Sequence, residues 1–221
     1  GRLGARPAPP PGRPLHLVLA QGVRQPAAAG APLPVYSVYP SATVSADITL
    51  SATGTQTAVI NAPTNAAYLG GTFVFKENTS THTITGITVT ENGTIDAGAD
   101  IKNVKLLYDL DTTAPYDCAS ESYSGSEAQF GSTNTSGFTS ADGVSAFSGL
   151  AGISPTQALC VYVIADVLDT VTDGATLKLS VANPPADIIV TGGTTVKPFT
   201  SIGFTGSTVL KNDQLVQSHF H

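Results

Sequence analysis

Leu159-Cys-Val-Tyr-Val-Ile-Ala165 carries apolar side chains on both parities of an extended chain. A strand with one face in water alternates apolar and polar residues, so a run without alternation reads as a central strand covered on both faces. Around it lie half-buried strands. Val44, Ala46, Ile48 and Leu50 alternate with Ser45, Asp47, Thr49 and Ser51. In His82–Thr90 the parity slips, with Ile84 on one phase and Ile87 and Val89 on the other; Gly86 between them predicts a β-bulge. Strand-like runs bounded by Gly, Pro, Asn and Asp recur at Val35–Tyr39, Thr43–Ser51, Thr57–Ala62, Tyr68–Lys76, His82–Thr90, Ile101–Asp109, Gln157–Leu168, Ala175–Ala182, Asp187–Thr191 and Ser201–Leu210. They predict an all-β fold, an antiparallel two-sheet sandwich of Ig-like or jelly-roll-like type, with an extended N-terminal tail.

Composition agrees. Of 221 residues, 29 are Thr and 19 are Ser, whereas only 12% are charged. Strand formers dominate and good helix formers are scarce, which excludes a helical bundle, a coiled coil and an α/β nucleotide enzyme. The longest apolar run is far short of the ~18 residues of a membrane span. A net charge of −6 argues against nucleic acid as partner. What is left is a β-rich exported protein, extracellular or at the cell surface. With no Met anywhere, the sequence is expected to be a processed product or a fragment.

Residues 1–34 form a separate region. They hold all four Arg and eight of the fifteen Pro, and no acidic residue. Such a tail cannot build a core of its own. Within it, Leu15, Leu17 and Leu19 share one face of an extended segment, which suits strand donation to a neighbouring subunit's sheet or packing back on the same domain. Val35, Tyr36, Val38 and Tyr39 could extend that contact. The sandwich domain is then 35–221, with a long excursion at 112–154 that is either a functional loop or carries short strands of its own.

Cys118 and Cys160 are the only thiols. In an exported chain they read as a disulfide that pins the excursion to a buried strand, worth about 4 kcal/mol through loop closure; two separate buried thiols are the alternative. No nucleophile-elbow, zinc-protease, phosphate-loop or dinucleotide motif occurs, and no His stands in a context that suggests a base beside a carboxylate. The chain is therefore read as no enzyme, and no catalytic residue is nominated. Asp109, Asp111, Asp117 and Glu121 are candidate calcium ligands, hard oxygens along an irregular segment, against the alternative of a solvated acidic loop. Asp166, Asp169 and Asp173 before Gly174 read as a turn. Asn78, Asn92 and Asn134 stand in glycosylation sequons.

The run Tyr108-Asp-Leu-Asp-Thr-Thr-Ala-Pro-Tyr-Asp-Cys118, continuing Ala-Ser-Glu-Ser-Tyr-Ser-Gly-Ser-Glu127, resembles a recurrent β-sandwich module of very large exported surface proteins of environmental bacteria. A second Cys in a strand like Ala158–Val163 and a segment like Ala182–Val190 continue the likeness, which spans about Gln56 to His221. The resemblance implies an extracellular location and pairing of Cys118 with Cys160. It implies no activity.

Together these readings predict an extracellular structural subunit that polymerises with itself into a pilus-like filament or a surface layer by N-terminal strand donation. The alternative is a monomeric adhesion or carbohydrate-binding module that uses the Tyr116–Phe147 loop on surface glycans.

Overall fold

The computed structural model describes residues 48–212. The tail 1–34, its Leu15, Leu17 and Leu19, and the expected strand with Val35, Tyr36, Val38 and Tyr39 lie outside the described residues.

Among the described residues fifteen strands follow one another: β1 (Ile48–Gln56), β2 (Val59–Asn61), β3 (Thr64–Tyr68), β4 (Gly70–Glu77), β5 (His82–Glu91), β6 (Ile101–Asp111), β7 (Ala128–Gln129), β8 (Val144–Ile153), β9 (Ala158–Val167), β10 (Thr176–Leu177), β11 (Leu179–Val181), β12 (Ile188–Val190), β13 (Val196–Lys197), β14 (Ile202–Gly203) and β15 (Thr208–Lys211). Two single-turn helices interrupt them, α1 (Ala97–Asp100), capped by the Asp96 carboxylate, and α2 (Pro184–Asp187). The first sheet runs β13-β1-β4-β9-β6-β7, with β3 continuing the β4 edge of β9. A second sheet runs β12-β5-β11-β14 with β8 on the far side of β5, and a small third sheet is β10-β15-β2. Inward side chains of all three sheets belong to one apolar core, so the fold is all-β and sandwich-like.

β9 occupies the central place that its two apolar faces predict. Every residue from Ala158 to Ala165 is buried, with β6 on one side and β4 then β3 on the other. The bulge expected at Gly86 is present: the β5–β8 register shifts between Ile84 and Gly86. There the Ile189 side chain lies so close that a Cβ on residue 86 would meet its Cγ1 at 2.9 Å.

Three expected strands are divided. Tyr68–Lys76 breaks at Leu69, whose N–H donates across to the Val163 carbonyl. Ala175–Ala182 breaks at Lys178, where the N–H goes to the Glu91 carboxylate and the carbonyl accepts from Asn92 N–H. Ser201–Leu210 separates into β14 and β15 in different sheets.

The excursion 112–154 carries strands of its own, β7 and the ten-residue β8. β8 alternates, with Ser145, Phe147, Ala151 and Ile153 inward. Its Gly, Ser and Ala residues dilute the period-two signal. Residues 130–138 fold back on this region, Phe130 and Phe138 entering the core. Gly131 fits there because its φ is +70° and a Cβ would stand 2.1 Å from the Ser148 carbonyl oxygen. Gly131→Ala is expected to lose more than about 1 kcal/mol in urea unfolding, through left-handed strain and the clash with β8.

Candidate functional site

The outer face of the first sheet is covered. Val74 on β4 and Ala158, Cys160 and Tyr162 on β9 form a second apolar cluster with Cys118, backed by Tyr68, Tyr116 and Tyr123. The cover is the segment after β6. Cys118 and Cys160 form a disulfide across a Cα–Cα distance of 5.8 Å, so the pairing expected from the sequence is present and fastens this flap to the central strand. Tyr123 stacks on Tyr68 with ring centroids 4.5 Å apart, and Tyr162 meets Tyr68 edge-on at 6.0 Å.

Asp111 shapes the flap. It is 1% exposed. Its Oδ1 accepts from Thr113 N–H at 2.8 Å and from the Ser120 hydroxyl at 2.7 Å, and its Oδ2 accepts from Cys118 N–H at 2.9 Å. Burial alone would raise its carboxyl, yet the Ser120 hydroxyl and the Thr113 and Cys118 N–H groups hold it below the usual carboxylate range. These bonds also fix Tyr116 and Cys118, non-glycine residues at φ +58° and +63°.

Asp109 lies on the same outward row, and burial, then the Glu127 charge, raise its carboxyl. Glu127 itself is held low: burial opposes, but N–H groups of the flap at Ser124 and Gly125 donate to it. Tyr162 is 1% exposed and its hydroxyl has no hydrogen-bond partner among the described residues. Burial, then the Asp109 charge, push that phenol well above its usual value.

Of the calcium candidates, Asp111 is committed to the turn and exposed Asp117 accepts from Ala119 N–H at 3.0 Å. Asp109 faces Glu127, and Glu121 lines an open groove with Thr53, Thr55, Tyr68 and Thr72. Among the described residues, no three His, Cys, Asp or Glu side chains gather as a metal-holding group. Asp166 and Asp173, read from the sequence as turn residues, accept from the distant Ala66 N–H at 2.7 Å and Asn212 N–H at 3.0 Å. Asn78 and Asn92 are exposed, whereas Asn134 directs its amide to the Gly137 carbonyl at 2.8 Å and the Ser145 hydroxyl at 2.9 Å. Phe130, Phe138 and Phe147 of the excursion are core residues, leaving Tyr116 and Tyr123 as its half-buried aromatics.

No family model matches the chain, and no curated protein matches it.

One arrangement corrects the sequence reading of the histidines. His82, at the start of β5, sets its Nδ1 against the Glu77 carboxylate at the end of β4, and its Nε2 lies 2.9 Å from the Thr194 hydroxyl. Hydroxyl, imidazole and carboxylate are in the order of a relay. Sequence spacing hid this because Thr194 is 112 residues away. The relay lies over the turn that carries the chain from β4 in the first sheet to β5 in the second, and ties it to the turn before β13. Glu77 Oε1 also accepts from Asn78 N–H at 2.9 Å and Thr79 N–H at 3.0 Å.

Burial opposes ionisation of Glu77, but the Thr79 N–H, His82 and the Ser80 and Asn78 N–H groups outweigh it and hold the carboxyl below its ordinary value. A depressed carboxyl stabilises the fold above the unfolded value, about pH 4.3, and loses that contribution as pH falls through the folded value. Glu77→Gln is therefore expected to lower stability at pH 7 by about 1–3 kcal/mol, with the gap to wild type closing below about pH 4 in urea titrations. Asp111→Asn is expected to cost about 1–3 kcal/mol at neutral pH with the disulfide intact by thiol assay, since one acceptor of the turn becomes a donor.

Proposed function

We propose that the protein is an extracellular structural subunit which assembles with copies of itself into a filament or surface layer, each copy donating an N-terminal strand to the next. The observation that carries this reading is the outer edge of β1. On one side β1 pairs with β4 along its length; on the other it meets β13 only at Ile48–Thr49 and residue 205 only through Thr55. Between these points residues 50–54 have no strand partner on that second side among the described residues, while Leu50 and Ala52 face the core. Unpaired edge N–H and C=O groups are templates for an added strand. A five-residue opening suits Leu15–Leu19, whose alternate leucines would continue the inward row. A donor that serves the next copy and not its own makes a heterologous contact, which propagates instead of closing.

A disulfide stable in an oxidising compartment is compatible with export, and no helix of the described residues is long and apolar enough to cross a membrane. The sandwich-like core, in our reading Ig-like or jelly-roll-like, would supply the rigid body of each subunit. A second reading, a carbohydrate-binding module, is favoured by the open groove of Thr53, Thr55, Tyr68, Thr72 and Glu121, which presents hydroxyls and one ring edge.

Negative-stain electron microscopy of the full chain beside a chain lacking residues 1–34 separates the two. Filaments or sheets from the first and monodisperse particles from the second are the expected result. Assembly by the shortened chain overturns strand donation; particles from both overturn the polymer and leave glycan-array binding to decide for the groove.

A further inference from the structure

The members of the relay at the start of β5 are graded in exposure. The Glu77 side chain is wholly buried, that of His82 is 15% exposed, and Thr194 stands half-buried at the surface. The N–H groups of Asn78, Thr79 and Ser80 donate to Glu77 Oε1 at 2.9, 3.0 and 3.3 Å, which leaves Oε2 to the imidazole Nδ1. A ring that donates from Nδ1 to a carboxylate keeps Nε2 unprotonated, and Nε2 is the atom 2.9 Å from the Thr194 hydroxyl. The hydroxyl therefore stands beside a base, and the base beside a group that fixes its tautomer and orientation.

Both ends of the relay are held on one strand. His82 is the first residue of β5, and the turn Thr191–Gly193 that presents Thr194 is fastened to the same strand: Val190 pairs with Ile84, and the Thr191 hydroxyl accepts from Thr83 N–H at 3.1 Å. Hydroxyl and base are thus positioned by the sheet itself. Beside Thr194, Gly192 and Gly193 are exposed, and a Cβ placed on either would meet nothing within 4 Å. The approach along this turn is open to a molecule from solvent.

We propose that Thr194, His82 and Glu77 form an acyl-transfer site that takes carboxylic esters from solvent. Thr194 Oγ1 bonds to the ester carbonyl carbon and its proton passes to His82 Nε2; the bond from that carbon to the alcohol oxygen breaks, and the alcohol leaves with the proton. Water then attacks the acyl-threonine in the same way. Its proton passes to Nε2 and on to Oγ1 as the threonine ester bond breaks, which frees the carboxylic acid and restores the hydroxyl. Thr194 is the nucleophile and His82 the base, while Glu77 is a positioning residue that acts through the ring. Esters are the substrate class because an alcohol leaves more readily than the amine of a peptide. The site uses none of residues 50–54 of β1 and does not depend on how, or whether, copies assemble.

The test is p-nitrophenyl acetate with the purified full-length chain, quenched in acid at successive times and read by intact mass and peptide mapping. The expected result is a species about 42 Da heavier, one acetyl group, with the acetyl on Thr194. Thr194→Ser keeps a hydroxyl and should still be labelled at residue 194, whereas His82→Gln should label Thr194 about 100-fold more slowly. A wild-type chain with no acetyl at Thr194, even one labelled on lysines, overturns the proposal whether or not the variants fold. So does labelling of Thr194 that runs as fast in His82→Gln as in wild type.

Discussion

The covering of the first sheet on its second face is the constraint on which the rest of the molecule depends. β9 has no polar face to turn to water, so its outer side must be sealed as completely as its inner one. The segment that seals it is mostly Ser, Thr, Gly, Asp and Glu, and has little apolar area with which to hold itself down. It is held instead by one covalent bond and one carboxylate: the Cys118–Cys160 bridge fixes its position, and Asp111 gathers the N–H groups of its turn. Only with both in place can Tyr123 lie over Tyr68 and Tyr162 and complete the apolar layer.

The same economy of charge runs through the fold. Glu77, Glu91, Asp100 and Asp111 are all buried, and each accepts hydrogen bonds from the backbone or hydroxyls at a place where strands end. A buried carboxylate is tolerated only when its lone pairs are met, which is why these acids stand beside turns. Glu91 shows the limit. One oxygen accepts from Lys178 and Gly93 N–H, the other has no partner among the described residues, and burial raises the carboxyl despite those donors. Among the described residues these carboxylates serve as internal fasteners, which suits the structural role proposed above.

β1 combines two properties. Its outer edge is open over five residues, a place where another chain can add; at its end the Gln56 side chain bonds to strands of both other sheets. A subunit that receives a strand on such an edge would pass load to β4 and through it to β9, the strand that holds Cys160 of the disulfide.

The central strand, the bulge at Gly86 and the all-β class were legible because each leaves a one-dimensional trace: lost alternation, slipped parity, a shortage of helix formers. The two cysteines were legible as a pair because their number allowed little else. β8 was hidden, since small residues on both parities blur a two-residue period, and the split at Lys178 was hidden because it is caused by Glu91, 87 residues earlier. The same holds for His82 with Thr194, 112 residues later. Sequence determines periodicity, composition and which groups must find partners; only the tertiary structure decides which partners they find, because hydrogen bonds act over 3 Å and the chain brings together in space what it separates along its length.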